Sequence, residues 1–470
     1  MNTAILGGIT FVVVFAGIIF LHELGHFVVA RLFKIEVEEF GIGFPPRLIR
    51  LFRGKGDLII GDQKVVMPLN FDLPFDHRTV GSRAVTATAD SIRGELVLRT
   101  IDFAATEDGQ YRPDPVAAHG PSTVQITHPA DEKPHKLFKE AVQPGAIQLS
   151  GILKDIRPGT EFTLNWIPLG GFNRIKGEDD PTQKGGMAAA NPWKRIPVLL
   201  AGAFMNLLTA FLVMTIYFSQ YGVPDTHAIA LMSISPASPA DTAGLKVGDI
   251  ILQAAGIKIG GDTAELIRLA HSYGDRPLPL VVQRGNQTID ITVMPRSNYP
   301  SDQGPIGISI GNPFNPAKTW FETIPVSFTT VVAEINDLLA LPGRILAGTV
   351  SPQEAQIGGP RSIWNLFQQS VAKDVSSRQT APNGQARVPT NYTLEIIISL
   401  TLTVGVANLL PIPALDGWRI FTSLVEIVLR RPIPAKYQVA INSVGFLVLL
   451  LLLGFFYIKD FINPISITLP

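Results

Sequence analysis

Between residues 4 and 21 the chain carries no charged side chain, and the same helical pattern continues through HELGHFVVARLF to residue 33. A run of that length can span a hydrocarbon core of about 30 Å as a helix. Inside hydrocarbon every backbone N–H and C=O must find its partner within the protein, which restricts spanning segments to helices and closed barrels. Three further apolar runs follow: 196–217, 394–410 and 438–458. The third is interrupted at Pro411 and Pro413 and then resumes through LDGWRIFTSLVEIVLRR. With 46% hydrophobic and 17% charged residues in 470, the sequence predicts a polytopic α-helical membrane protein with about four transmembrane spans. The stretch 320–346 is apolar as well but contains Glu322, Pro325, Glu334, Asp337 and Pro342. It predicts an amphipathic helix lying on the interface, within 315–347.

The basic residues give these spans a direction. Arg31, Lys34, Arg47, Arg50, Arg53 and Lys55 follow the first run, whereas only MNT precedes it, which argues against a signal peptide. Lys194 and Arg195 precede the second run, and Arg430 and Arg431 close the third. The positive-inside bias therefore predicts a multi-pass cell-membrane protein with its N-terminus outside and residue 34 onward in the cytoplasm. Lys+Arg and Asp+Glu both number 39, so nothing points to nucleic acid as a partner. The absence of cysteine excludes disulfides, thiolate metal ligands and thiol catalysis.

Two soluble regions separate the spans. Residues 57–157 hold β-like stretches (GELVLRTIDF, STVQITHP, GAIQLSGILKDI) between Pro-, Gly- and Asp-rich breaks, and predict a β-rich cytoplasmic region of unknown role. His77, His119, His128 and His135 lie there at irregular spacing and read as surface residues rather than a second metal site. Residues 226–297 read as strand, short helix, strand, helix and hairpin, with the last turn at Arg284–Gly285–Asn286. The stretch 372–390 reads as a flexible loop.

The chemistry concentrates in two places. HELGH puts His22 and His26 four residues apart on one helix face, where both imidazoles can reach a single zinc ion. Glu23 flanks that face and can take a proton from water. Ionised side chains at membrane depth cost about 2.5–3.5 kcal/mol each, so three polar groups there without a task would be expensive. A catalytic zinc takes three protein ligands, and Asp416 in NLLPIPALDG is the natural third. The prolines at 411 and 413 forbid regular helix before it, and irregular backbone at that depth is tolerated only where it is buried or lines a wet cavity. A second expectation for Asp416, as N-cap of the following helix, is compatible with ligation. Glu426 is a weaker rival ligand.

HELGH in the first span together with NLLPIPALDG in a later one resembles the site-2 protease family of intramembrane metalloproteases, in its PDZ-containing bacterial group. FGIGFPPRL at 40–48, GTEFTLNWIPLGGFNRIKGE at 159–178 and Gly359–Pro360 resemble further segments of that family. SPASPADTAGLKVGDIILQAAG resembles the PDZ domains of bacterial envelope proteases, which capture an extended peptide at a sheet edge. The resemblance implies one Zn2+ per chain held by His22, His26 and Asp416, general-base catalysis by Glu23, and help from Asn408 in holding substrate. An exposed edge around Gly170 and Gly171 would receive the unwound peptide. It further implies, as partners, the lipid bilayer, single-pass membrane protein substrates such as trimmed anti-sigma factors or remnant signal peptides, and a peptide ligand of the PDZ domain.

The expected organisation is a first span with cytoplasmic segment (1–56), a β-rich insertion (57–157), a membrane-associated β segment (158–193), a second span (194–220), an extracytoplasmic PDZ domain (226–297), an interfacial helix (315–347), a broken third span (391–430) and a fourth (437–458). The stretch GAFMN at 202–206 lacks the proline of the family's Gly-Pro-x-x-Asn, which leaves a role for Asn206 open. Two other functions compete: a catalytically inactive membrane-anchored PDZ scaffold, and an exporter or channel using His22 and Asp416 as pathway residues. The intact Glu23 argues against the scaffold, because metal binding alone does not require it.

Overall fold

The computed structural model describes residues 3–75, 83–103, 125–127, 146–178, 180, 182–183, 185–300, 303–316, 319–348, 359–378 and 391–462. His77, His119, His128 and His135 lie outside them. Helix α1 (Thr3–Leu32) leads into β1 (Val37–Arg53), β2 (Gly56–Ile60), β3 (Gln63–Met67), β4 (Ala84–Ile92), β5 (Glu95–Phe103), β6 (Gln125–Thr127), β7 (Ile147–Arg157) and β8 (Glu161–Ile175). After α2 (Pro192–Tyr221) come β9 (Val223–Pro224), β10 (Ile229–Ile234), α3 (Pro239–Thr242), β11 (Ile250–Ala254), β12 (Ile257–Lys258), α4 (Thr263–Ser272), β13 (Leu278–Arg284), β14 (Gln287–Val293), β15 (Ile308–Gly311) and β16 (Phe314–Asn315). The chain then turns helical: α5 (Thr323–Leu346), α6 (Pro360–Ser377), α7 (Tyr392–Leu409), α8 (Asp416–Leu429) and α9 (Ala435–Ile462).

Among the described residues five helices are long and apolar enough to cross a membrane: α1, α2, α7, α9 and the helix 320–346, which sequence reasoning assigned to the interface. None of the most apolar stretch of α9 is buried by protein. Val444, Leu447, Leu451 and Phe455 all stand exposed on it, a surface that only a lipid solvent suits. The helix 320–346 buries Thr323, Ser327 and Val331 and leaves Trp320, Phe321, Phe328 and Leu339 exposed. The loop expected at 372–390 is corrected in part: α6 continues through Ser377, because Phe367 and Val371 recur at helical spacing as buried residues on one face.

Contacts divide the chain into two compact units, and the boundaries fall inside α1, α2, α7 and α9. The unit made of Gly8–Leu207 and Thr403–Ile458 contains the β-rich region. Here β2, β3, β5, β4 and β7 pair in that order, and a further β2–β7 pairing closes them into a ring, with β6 added along β7. Every pair is antiparallel except β3–β5. Alternate residues point inward, as strand geometry requires, and Leu58, Ile60, Val65, Val85, Ala87, Leu98 and Leu149 fill the barrel.

The barrel grows out of a second sheet. Its first and last strands set Asp57 opposite Arg157, so the region enters and leaves through adjacent positions. Next to them β1 and β8 form a bent ladder that pairs Arg53 with Glu161, Arg47 with Asn165, and Ile42 with Gly171. Arg50 and Arg53 bind Asp72, in the segment after β3, which ties that segment to this sheet, and Arg47 and Arg53 bind Glu161 within the sheet itself. A third apolar cluster of Ala30, Ile35, Val37, Ile175, Val198 and Leu199 packs the end of α1 and both strands against α2.

The other unit contains an α+β domain with sheet order β14-β13-β11-β10-β15. Ser238 caps α3 and Asp262 caps α4 through side chains that accept backbone N–H groups, as short polar residues at helix starts do. Ile229, Leu231, Leu266, Leu278 and Leu280 lie at its centre, fully or almost fully buried. The last strand, β15, lies beyond the expected limit of 297 and forms one edge of the sheet beside β10.

Because Asp57 and Arg157 face each other across one strand spacing of about 5 Å, the barrel should be removable. Replacing 57–157 with a short Gly-Ser turn is expected to leave a folded protein with its full zinc content. Metal analysis checks this; a folded but zinc-free product would make the barrel part of the scaffold of the metal site.

Candidate metal centre

Helix α1 carries His22 and His26 on the face turned toward α2, and both are buried. Their Nε2 atoms lie 3.1 Å apart. Asp416 Oδ2 is 3.1 Å from His22 Nε2 and 3.2 Å from His26 Nε2. The carboxylate reaches this point because the chain breaks: α7 ends at Leu409, and Ala414 takes a left-handed backbone angle (φ 76°). A side chain at positive φ is strained, and such strain persists where the surroundings enforce it. The N-cap expected at Asp416 is corrected: Leu415 occupies that position and Asp416 is the first residue of α8, with its carboxylate directed at the histidines.

Three atoms that share a tetrahedral zinc at about 2.0–2.1 Å sit about 3.3 Å from one another. The two imidazole nitrogens and one carboxylate oxygen match that spacing and that donor preference. Among the described residues no other group of three His, Asp or Glu side chains converges this way.

Behind the donors stands α2. The Nδ1–H of His26 donates to the Val198 carbonyl at 2.7 Å, which leaves Nε2 with its lone pair free. The Asn206 amide is fully buried, 3.3 Å from His22 Nδ1, and its Oδ1 has no partner as oriented. Amide orientation is assigned from the hydrogen-bond network, and turning this one over lets Oδ1 accept the Nδ1–H of His22. Both rings then present Nε2 to the same point. Asn206, left open by its missing proline, is thus a neighbour of the site. Gly202, one turn earlier on the same face of α2, is the glycine of the GAFMN stretch, to which the sequence assigned no role. A Cβ there would lie 2.4 Å from His26 Nε2 and 2.6 Å from His22 Cε1.

Glu23 lies on the turn of α1 that faces β8. A Cβ at Gly171 would meet Glu23 Cβ at 3.2 Å and Phe20 Cα at 3.0 Å, and one at Gly170 would meet Ile19 at 2.5 Å. The two glycines therefore let β8 touch the helix beside the carboxylate. Asn408 lies in the last turn of α7. The rival ligand Glu426 is corrected: it is buried on α8, bound to Arg195, the Ile433 N–H and the Gln438 amide, with no oxygen left for a metal.

Gly202→Ala is expected to lower zinc affinity by about tenfold or more, the range found when groups supporting metal-ligating histidines are disturbed. Competition with a chelator reads this out; unchanged affinity would mean that α2 does not set the position of the two rings.

Residues 10–58 and 138–452 match the model of Peptidase family M50, and the gap between them falls within the barrel. A Clostridium perfringens protein named for zinc metalloprotease activity is 32% identical over 69% of this chain and 90% of its own length. Zinc metalloprotease RasP of Geobacillus kaustophilus is 24% identical over 95% of both chains. The regulator of sigma-W protease RasP of Bacillus subtilis is 23% identical over 95% of this chain and 96% of its own. On a polytopic helical frame with this donor cluster, these matches identify the chain as a member of peptidase family M50, a multi-pass membrane zinc metalloprotease of the site-2 type.

Proposed function

We propose that His22, His26 and Asp416 hold the catalytic zinc and that Glu23 is the general base for hydrolysis of peptide bonds in or near the transmembrane segments of membrane proteins. The observation that carries this is the triangle of three donor atoms 3.1–3.2 Å apart, two of them on a helix long and apolar enough to cross a membrane. When bound, zinc supplies Lewis acidity, polarising the scissile carbonyl and making water acidic near neutral pH. Glu23 takes the proton of the attacking water on a carboxylate oxygen and delivers it to the departing amine nitrogen. Water and amide become a carboxylate and an amine, and Glu23 is returned to its starting state. His26, held by Val198, and His22, held by Asn206, keep their rings fixed while this happens.

A transmembrane helix shields its own peptide bonds, so the substrate must be extended before cleavage. The segment at Gly170–Gly171 lies against the turn that bears Glu23, which favours it as the place where the extended peptide pairs by strand addition. Asn408, in the last turn of α7, binds the same peptide in this reading. The apolar groove lined by Ile412, Pro413, Ile441, Val444 and Val448 supports an approach from the lipid side. The sigma-W regulator in the name of the Bacillus subtilis relative favours trimmed anti-sigma factors as substrates, with remnant signal peptides as a second class.

The domain at 226–297 acts as a PDZ unit, extended by the edge strand β15, and filters substrates by binding a peptide end or excluding bulky outer domains. The basic residues favour a topology with this domain and the N-terminus outside and the zinc toward the cytoplasm. In this topology four spans cross and the helix 320–346 lies on the outer interface, because a fifth crossing would carry Arg430 and Arg431 outside.

Two experiments test the reading. Glu23→Gln should keep about one zinc per chain while cleavage of a model single-pass substrate falls by about a thousandfold or more. Asp416→Ala should lose zinc and activity together. Cleavage surviving in Glu23→Gln would remove it as the base and favour another role for the site. Separately, Asn286→Cys should react with an impermeant maleimide from outside intact cells, whereas Arg431→Cys should react only after permeabilisation. The reverse pattern would overturn the topology.

A further inference from the structure

The two helices that frame the metal donors are joined a second time, away from the donors. Arg195, on the first turn of α2, donates to Glu426, on the third turn of α8; the Glu426 side chain is buried and that of Arg195 half-buried. The second oxygen of Glu426 accepts the Ile433 N–H at 3.0 Å and the Gln438 amide at 3.0 Å, which adds the start of α9 to the junction. Arg195 lies one helical turn before Val198, whose carbonyl fixes His26. Glu426 lies ten residues after Asp416, about 15 Å along a continuous helix. The contacts close a circuit. It runs from Asp416 along α8 to Glu426, across to Arg195, along α2 to Val198, and through His26 back to Asp416.

We propose that Arg195 and Glu426 are positioning residues that set the axial height of α8 against α2, and so hold Asp416 at ligating distance from the two histidines. A helix is stiff along its axis, so a displacement at Glu426 is carried to the carboxylate at the other end. The prolines at 411 and 413 uncouple α8 from the hydrogen bonding of α7, so its height depends on side-chain contacts, of which Arg195–Glu426 lies at the far end of α8 from Asp416 and Arg419–Glu178 near its start. A charged pair suits the task, since its geometry is narrower than that of an apolar contact. This inference rests on Asp416 being a zinc ligand.

The test uses full-length protein in detergent, loaded with zinc or with cobalt, whose visible absorption reports the coordination geometry. Glu426→Gln and Arg195→Lys are compared with wild type and with Asp416→Ala. Both pair variants are expected to bind zinc about tenfold or more weakly and to shift the cobalt bands, while their helical content stays unchanged. Arg195→Lys keeps a cation at the junction and carries the test if Glu426→Gln does not fold. Wild-type affinity and an unaltered cobalt spectrum in either folded variant would overturn the proposal. Retention of zinc by Asp416→Ala would instead overturn the ligand assignment on which it rests.

Discussion

Two imidazoles and one carboxylate can share an ion only if their donor atoms meet within a few tenths of an ångström, and here the donors come from segments nearly 400 residues apart in sequence. The requirement is severe inside a membrane, because a polar group that misses its partner there has no water to fall back on. Much of the unit around the site follows from meeting it. Helix α2 approaches α1 closely because Gly202 leaves room for the two rings, and it supplies Val198 and Asn206 to orient them. The break after Leu409 turns the chain so that Asp416 starts a new helix facing the same point. On the other side of α1, the glycines of β8 bring a strand against the turn that bears Glu23.

What was legible in the sequence shared one property: it was local. The spacing of His22 and His26 follows from the helical period, and the prolines before Asp416 mark a broken helix wherever they occur. The apolar runs declared the membrane helices, and the order of strands and helices at 228–296 emerged from alternation and turn residues. Supporting residues were not legible in the same way. Gly202 reads as an ordinary glycine in an apolar helix until α1 is set beside it, and Asn206 lost its signal with the missing proline. Glu426 looked like a spare carboxylate because its partner Arg195 lies more than two hundred residues earlier.

The barrel illustrates a second limit. Its β-like stretches were visible, yet neither their order nor the closure by β2 and β7 could be read, since strands about a hundred residues apart pair through contacts that leave no local pattern. The adjacency of Asp57 and Arg157 explains how a folded body can be inserted between β1 and β8 without disturbing their ladder. Strand β15 escaped for a related reason: it joins the sheet at β10, far behind it in sequence. The end of α6 escaped because Ser376, Ser377 and the polar residues beyond them resemble a loop in composition, whereas the buried Phe367 and Val371 commit the preceding turns to a helix.

The account stands or falls on Asp416 being bonded to zinc, and the absence of cysteine from the chain permits a direct test. X-ray absorption at the zinc edge distinguishes sulfur at about 2.3 Å from nitrogen or oxygen at about 2.0–2.2 Å. Wild-type protein is predicted to show only the lighter donors. Asp416→Cys, loaded with zinc, is predicted to show one sulfur at the longer distance beside two imidazoles. A zinc-loaded Asp416→Cys protein whose spectrum contains no sulfur shell would contradict the assignment, and with it the convergence of the helices that frame the site.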